Sequence, residues 1–217
     1  MGRPASLSRT GIINAAALLV REQGVQALSV RRLGDSLGCD PTALYRHFTT
    51  MADLEREVGD RFLRSVDVRV HDGDDWRATV RRICVRLRRV QLRQPRLAAL
   101  VSAAPTRLAN ELRITEALLR ELDRGGFSRV QVAVAYHALI ELTVGSAAID
   151  APLAAQPTAT RRRTYGDWRR EYAELSPAES PASVAVAEHL YLGTADSRFE
   201  AALDLLLDGI SLQRPVQ

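Results

Sequence analysis

Three observations predict an all-α fold. Leu, Ala, Arg and Glu recur with a period of about 3.6 residues, β-branched alternation bounded by paired turn residues is nearly absent, and Gly, Pro, Ser and Asp punctuate the pattern where helices should begin and end. At 217 residues the chain has room for a small module and one larger domain. Burial of roughly 70% of the unfolded surface makes disulfide or metal staples unnecessary at that size.

The first helix is expected over residues 8–23, with Ile12, Ile13, Ala16, Leu19 and Val20 on one stripe and Gly24 as its C-terminal stop. Ser29 caps a short second helix in which Val30, Leu33 and Leu37 fall at i, i+3 and i+7, leaving Arg31, Arg32 and Asp35 outside; Gly38 ends it. Asp40 caps and Pro41 opens a third helix, residues 42–48, whose Leu44 and Phe48 share one face while Thr42, Tyr45 and Arg46 occupy the other.

Two short helices joined by a tight glycine-containing turn, the second rich in side chains that reach phosphates and bases, form a helix-turn-helix pattern. Ser29, Arg31, Pro41, Thr42, Tyr45, Arg46 and His47 are therefore the candidate DNA contacts, with Leu33, Leu37, Leu44 and Phe48 holding the helices together. Arg31 is the first base-reading candidate, because a guanidinium can bind a guanine edge bidentately. Ser29, Thr42 and Tyr45 suit phosphates, and Arg32 and Arg46 suit phosphate or solvent.

A linking helix is expected over residues 52–70, and the acid-rich stretch 71–75 then breaks the pattern. This divides the chain into a helix-turn-helix DNA-binding domain (1–50), a linker (51–70) and a helical ligand-binding and dimerisation domain (71–217). Further helices are expected over 76–93, 95–102, 106–124, 128–151 and 197–212. The prolines and the Arg161-Arg162-Arg163 run suggest a mobile loop at 152–164, whose arginines either touch nucleic acid or are solvated. Segments 130–149 and 199–210 are apolar beyond one narrow stripe, as expected of helices that pair two subunits or pack within one.

The inner side of these helices offers Ile83, Leu87, Leu100, Leu118, His137 and Glu141 as pocket candidates, with Trp168 and Tyr172 from the loop region. His137 and Glu141 stand at i, i+4, where they can hold a polar ligand group or a metal, or bond each other.

The run from Ser29 to Phe48, above all Gly38 and Leu44-Tyr45-Arg46-His47-Phe48, resembles the tetracycline-repressor (TetR) family of regulators, and the similarity extends back over residues 12–28 and on to Leu54. Trp76, Pro105-Thr106, Gly126-Phe127-Ser128 and Thr143-Val144-Gly145 resemble the effector domain of the tetracycline-repressor subgroup. The resemblance implies a homodimeric repressor that binds palindromic double-stranded operator DNA and is released by a small-molecule effector, with helices 130–149 and 199–210 meeting their copies in a four-helix bundle. Met51 follows Thr49 and Thr50 where many relatives open the next helix with a lysine. Leu100 and Ile149 stand where drug-binding members place a metal-ligating histidine and a helix-borne glutamate, which implies an effector other than magnesium-tetracycline, with no cofactor.

Composition adds bounds. The formal charge is +4 and all 30 basic residues are arginine, a type suited to phosphate and guanine but also interchangeable with lysine on solvated faces. Cys39 and Cys84 lie far apart in no metal-ligand spacing, as expected in a reducing cytoplasm. No apolar core marks the first ten residues as a secretory signal, and arginines or acids are expected to interrupt every apolar run short of a membrane span. Gly34-Asp35-Ser36-Leu37-Gly38 matches a hydrolase elbow, but that motif needs a strand before the serine, and Ser36 falls inside a helical period; no catalytic residue is assigned. A helical small-molecule-binding module with little specific DNA binding is the alternative reading.

Overall fold

The computed structural model describes residues 7–214, which fold entirely into helices and connecting turns. The order is α1 (Arg9–Gln23), α2 (Val30–Leu37), α3 (Met51–Leu63), α4 (Trp76–Arg93), α5 (Pro95–Ala103), α6 (Ala109–Arg124), α7 (Arg129–Ala154), α8 (Thr158–Ala173), α9 (Pro181–Val186) and α10 (Ala195–Ser211). Tighter 3-10 turns occupy Val25–Ala27, Pro41–Arg46 and Ala187–His189.

The N-terminal module closes around one apolar knot. Ile12, Ala16 and Val20 of α1, Leu33 of α2, Leu44 of the Pro41–Arg46 turn and Phe48 just beyond it, and Leu54 and Val58 of α3 are all buried. Each such side chain contributes about 1.5–3 kcal/mol on leaving water, enough in sum to hold short helices that would not persist alone. Caps fix the ends: Ser8, Ser29 and Asp40 each accept from a first-turn amide, and Thr50 with Asp53 forms a reciprocal capping box at α3. Arg9 adds a clamp, pairing with Glu57, donating to the His47 carbonyl and lying 4.4 Å from the Phe48 ring centroid.

In the larger half α7 packs against α4, α5, α6 and α10. Val80, Ile83, Cys84, Leu118, Leu122, Leu139, Leu203 and Leu207 form the core. By length and composition α7 is apolar enough to cross a membrane, although, as expected, acids interrupt the run at Glu141 and Asp150. Its apolarity has another account. One side is buried by α4, α6 and α10, while Val130, Val134 and Ile149 stay exposed, as do Leu205 of α10 and Leu212 just after it.

Three expected boundaries are corrected. The linking helix stops at Leu63 rather than reaching residue 70, because the Asp67 carboxylate takes the Arg69 amide and guanidinium and pairs with Arg86 at 2.8 Å, an alternative to helical bonding. The helix expected from residue 106 starts at Ala109, after Arg107 turns through a left-handed φ of 56°. The expected loop at 152–164 is mostly helix: α7 runs on to Ala154, and α8 begins at Thr158 and carries the arginine run.

Cys84 is fully buried, and desolvation pushes its thiol up to about 11, so it stays protonated at neutral pH. Cys39 is half-buried in the helix-turn-helix turn. Iodoacetamide at about pH 7.5 should modify Cys39 and spare Cys84 until the chain unfolds, read by mass spectrometry. Equal labelling of both would show that the α4–α7 contact opens in the native state.

Candidate nucleic-acid interface and ligand cavity

The recognition segment is a 3-10 turn at Pro41–Arg46 rather than the α-helix expected over 42–48. Gly38, at φ 62°, makes the sharp reversal out of α2. The two pieces touch closely: a Cβ on Gly34 would stand 3.0 Å from Pro41 Cγ and 3.1 Å from the Cys39 carbonyl. Pro41 thus packs inward, serving geometry.

With Leu33 and Leu44 turned to the core, the opposite side presents Ser29, Arg31, Thr42, Tyr45 and Arg46 to solvent. Tyr45 is 53% exposed, a large ring with no packing explanation in the folded chain. Among the described residues Arg31 and Arg46 have no carboxylate within ion-pair distance, whereas Arg32 donates to Gln23 at 3.0 Å. Ser29 Oγ accepts from the Arg32 amide and Thr42 Oγ1 donates to Asp40 at 2.6 Å, so both hydroxyls already hold local structure. These bonds from Thr42 keep the Asp40 carboxyl below its usual range. His47 is half-buried at the end of the segment, its carbonyl taken by Arg9. Ser36 Oγ donates to the Leu33 carbonyl at 2.9 Å within α2.

A cavity of about 450 Å³ opens among α3, α4, α5, α6 and α7. Leu87, His137 and Glu141 line it. Ile83 and Leu118 do not: both are fully buried in the core, one turn away from the cavity or on a different helix face. Leu100 packs half-buried near Gly59, and Trp168 and Tyr172 join Tyr165 and Tyr191 in a separate aromatic cluster. His137 and Glu141 are exposed and make no bond to each other among the described residues. No group of three or more His, Cys, Asp or Glu side chains there is placed to hold a metal.

Sequence reasoning missed the polar groups that matter most in this cavity. Gln91 is 2% exposed, and its buried Oε1 has no hydrogen-bond donor. Such an orphan costs about 1–3 kcal/mol unless a ligand donor reaches it. Thr115 and Tyr136 bond each other at 2.9 Å on the facing wall. At the cavity edge, the Asp60 carboxylate of α3 accepts from the Asn110 and Glu111 amides at 2.9 and 3.0 Å, tying α3 to the start of α6. Gln91 stood on the inner stripe of α4, but nothing in a lone glutamine marks it as unpaired.

Comparison with known proteins adds a family assignment to this geometry. A family model described as bacterial regulatory proteins of the tetR family matches residues 12–58, and a second, the tetracyclin repressor-like C-terminal domain, matches residues 71–214. An HTH-type transcriptional regulator of Saccharopolyspora erythraea is 32% identical over 76% of this chain and 70% of its own length. The class C tetracycline repressor protein of Escherichia coli is 29% identical over 96% of this chain and 92% of its own. The crystal structure of Streptomyces coelicolor ActR in complex with actinorhodin superposes with a TM-score of 0.84 at 23% identity, covering 95% of this chain and 97% of that one, a likeness of fold.

Proposed function

This chain belongs to the TetR family of regulators, and from that premise we propose that the Ser29–Arg46 face reads operator DNA and the 450 Å³ cavity receives the effector that releases it. The protein is a ligand-responsive DNA-binding transcriptional regulator that acts as a dimer on a palindromic operator. The observation that carries the residue assignment is Tyr45 and Arg31 standing solvent-exposed and unpaired on a face whose reverse side is a fully buried core. Ser36 serves α2 as an ordinary helix residue, and the chain acts as a regulator without catalysis.

Dimerisation buries the exposed apolar residues of α7 and α10 against a second copy, and a two-fold protein then matches a two-fold site. Successive major grooves lie about 34 Å apart, so the spacing of the two heads decides operator affinity. Leu63, the last residue of α3, lines the cavity, and Asp60 one turn earlier holds the start of α6. A ligand entering between them shifts α3 and with it the head. The effector itself presents an apolar body to Leu87, Val101 and Ile114 and a hydrogen-bond donor to Gln91.

Selection of duplexes from a random library at about 150 mM salt, where non-specific phosphate binding is weak, should recover a palindrome. Recovery of no motif would leave a ligand-binding module in its place. With the palindrome in hand, Arg31→Ala should reduce discrimination at one base pair per half-site by about 1–3 kcal/mol. Uniform weakening across all sequences would instead make Arg31 a phosphate contact.

A further inference from the structure

The arginine run of α8 forms part of the wall of a second cavity, about 770 Å³ in volume, which shares no lining residue with the effector cavity. It lies where the end of α4, the end of α7, the start of α8 and the beginning of α10 meet. Beneath its floor lies Arg88, 1% exposed, which donates to the lining residues Asp150 and Asp196 and, at 3.2 Å, to Ser146, with its guanidinium 4.8 Å from the Phe199 ring centroid. Both carboxylates that line the cavity are thereby engaged by one buried cation.

Four further guanidiniums surround this floor: Arg89, Arg93, Arg161 and Arg162. Arg89 stands 3.6 Å from Glu200, which is itself paired more closely with Arg81 at 3.0 Å. Arg161 donates to Thr158, while Arg93 and Arg162 have no carboxylate within ion-pair distance among the described residues. The cavity lining therefore holds four guanidiniums against two carboxylates, and both carboxylates are already paired with Arg88. Positive charge concentrated in a cleft focuses the local potential on anions, and the guanidinium fork matches carboxylate and phosphate oxygens. Leu92 and Tyr165 give the same cavity an apolar side.

We propose that this cavity binds a small organic polyanion, a phosphate ester or a polycarboxylate, through Arg93 and Arg162, with Leu92 and Tyr165 against its carbon body. Its concavity suits a small molecule and not the convex outline of duplex DNA. The effector cavity is a different kind of site, lined by no arginine in a chain with 30 basic residues. The protein thus carries two chemically distinct ligand sites.

Titration calorimetry of the full-length protein with inorganic pyrophosphate and, separately, citrate tests this, at a fixed ionic strength of about 150 mM. At least one anion should bind, and which one binds distinguishes phosphate from carboxylate recognition. The double variant Arg93→Gln/Arg162→Gln should weaken that binding by about tenfold or more, while His137→Ala in the effector cavity leaves it unchanged. Both arginines are solvent-exposed without ion-pair partners, so the variant should fold, as checked by its circular dichroism. Absence of heat with both anions, or unchanged affinity in the double variant, would overturn the proposal. So would intact anion binding accompanied by loss of affinity for the selected duplex, which would assign these arginines to DNA.

Discussion

Arg88→Ala should lower the free energy of unfolding by about 3 kcal/mol, toward the low end of what breaking a buried ion pair costs. The residue sits in a ladder of charges that joins α4 to α10 in antiparallel order: Arg77 with Asp208 at 2.8 Å, Arg81 with Asp204 at 2.8 Å, and Arg88 with Asp196. The Arg77 and Arg81 rungs are partly hydrated, with side chains 29–66% exposed, and each contributes about 1 kcal/mol or less. Arg88 differs because its side chain is 2% exposed and its second partner, Asp150, is 17% exposed, so removing the guanidinium leaves a mostly buried carboxylate without its cation. Asp196, at 56%, recovers hydration and moderates the loss. Urea denaturation should be compared at equal protomer concentration, because unfolding is coupled to dissociation of the dimer. A loss below about 1 kcal/mol would show that the clamp is no tighter than its exposed neighbours. The triple variant Arg88→Met with Asp150→Asn and Asp196→Asn should recover part of the loss, since no charge is then left stranded.

Asp60→Ala should cost about 2–3 kcal/mol and also reduce operator affinity. The first amides of α6 have no local cap: Leu108 precedes the helix and offers no side-chain acceptor. Asp60 supplies one from α3, taking Asn110 N, Glu111 N and Asn110 Nδ2, the last at 2.8 Å, with Thr106 Oγ1 donating at 3.4 Å. Alanine leaves those donors unpaired beside a buried position. It also removes one polar tie between α3, which carries the helix-turn-helix, and the effector half, leaving the packing of α3 on α5 and α6. Asp60→Asn retains an acceptor oxygen and should lose less on both measures. If Asp60→Ala destabilised the protein without changing the affinity for the selected duplex at a temperature where it stays folded, the carboxylate would be a cap alone.

The same bond shows where sequence reasoning stopped. Helices whose ends are written locally were legible: α1 between Ser8 and Gly24, α2 between Ser29 and Gly38, and α7 from its Ser128–Gln131 capping box. The start of α6 was misplaced because its cap comes from a residue about fifty positions earlier in the chain. The helix α8 was missed because only Tyr165 among its 16 residues is buried, so no apolar period betrays it, and Pro152 and Pro157 at its approach read as loop. The solvent-facing side of the helix-turn-helix, which we propose reads DNA, followed from spacing, since burial of Leu33 and Leu44 dictates what turns outward. The cavity was legible only in part: His137 and Glu141 lie on its edge, but Ile83 and Leu118 have the same apolar character as true lining residues and differ only in depth.

The contact of Gly34 with Pro41 constrains how the protein can respond to its effector. Even an alanine Cβ at Gly34 would stand 3.0–3.2 Å from Pro41 and the Cys39 carbonyl, so these neighbours would have to give by a few tenths of an ångström, and the buried knot behind them is close-packed. Each head is therefore a stiff tool that cannot be re-aimed from within, like a key whose teeth are cut in one piece. A signal arriving from the cavity can change only where two such keys are held relative to each other. An operator with its half-sites moved apart by one base pair should then be bound differently by the free and liganded dimers, while an isolated half-site should be bound alike by both.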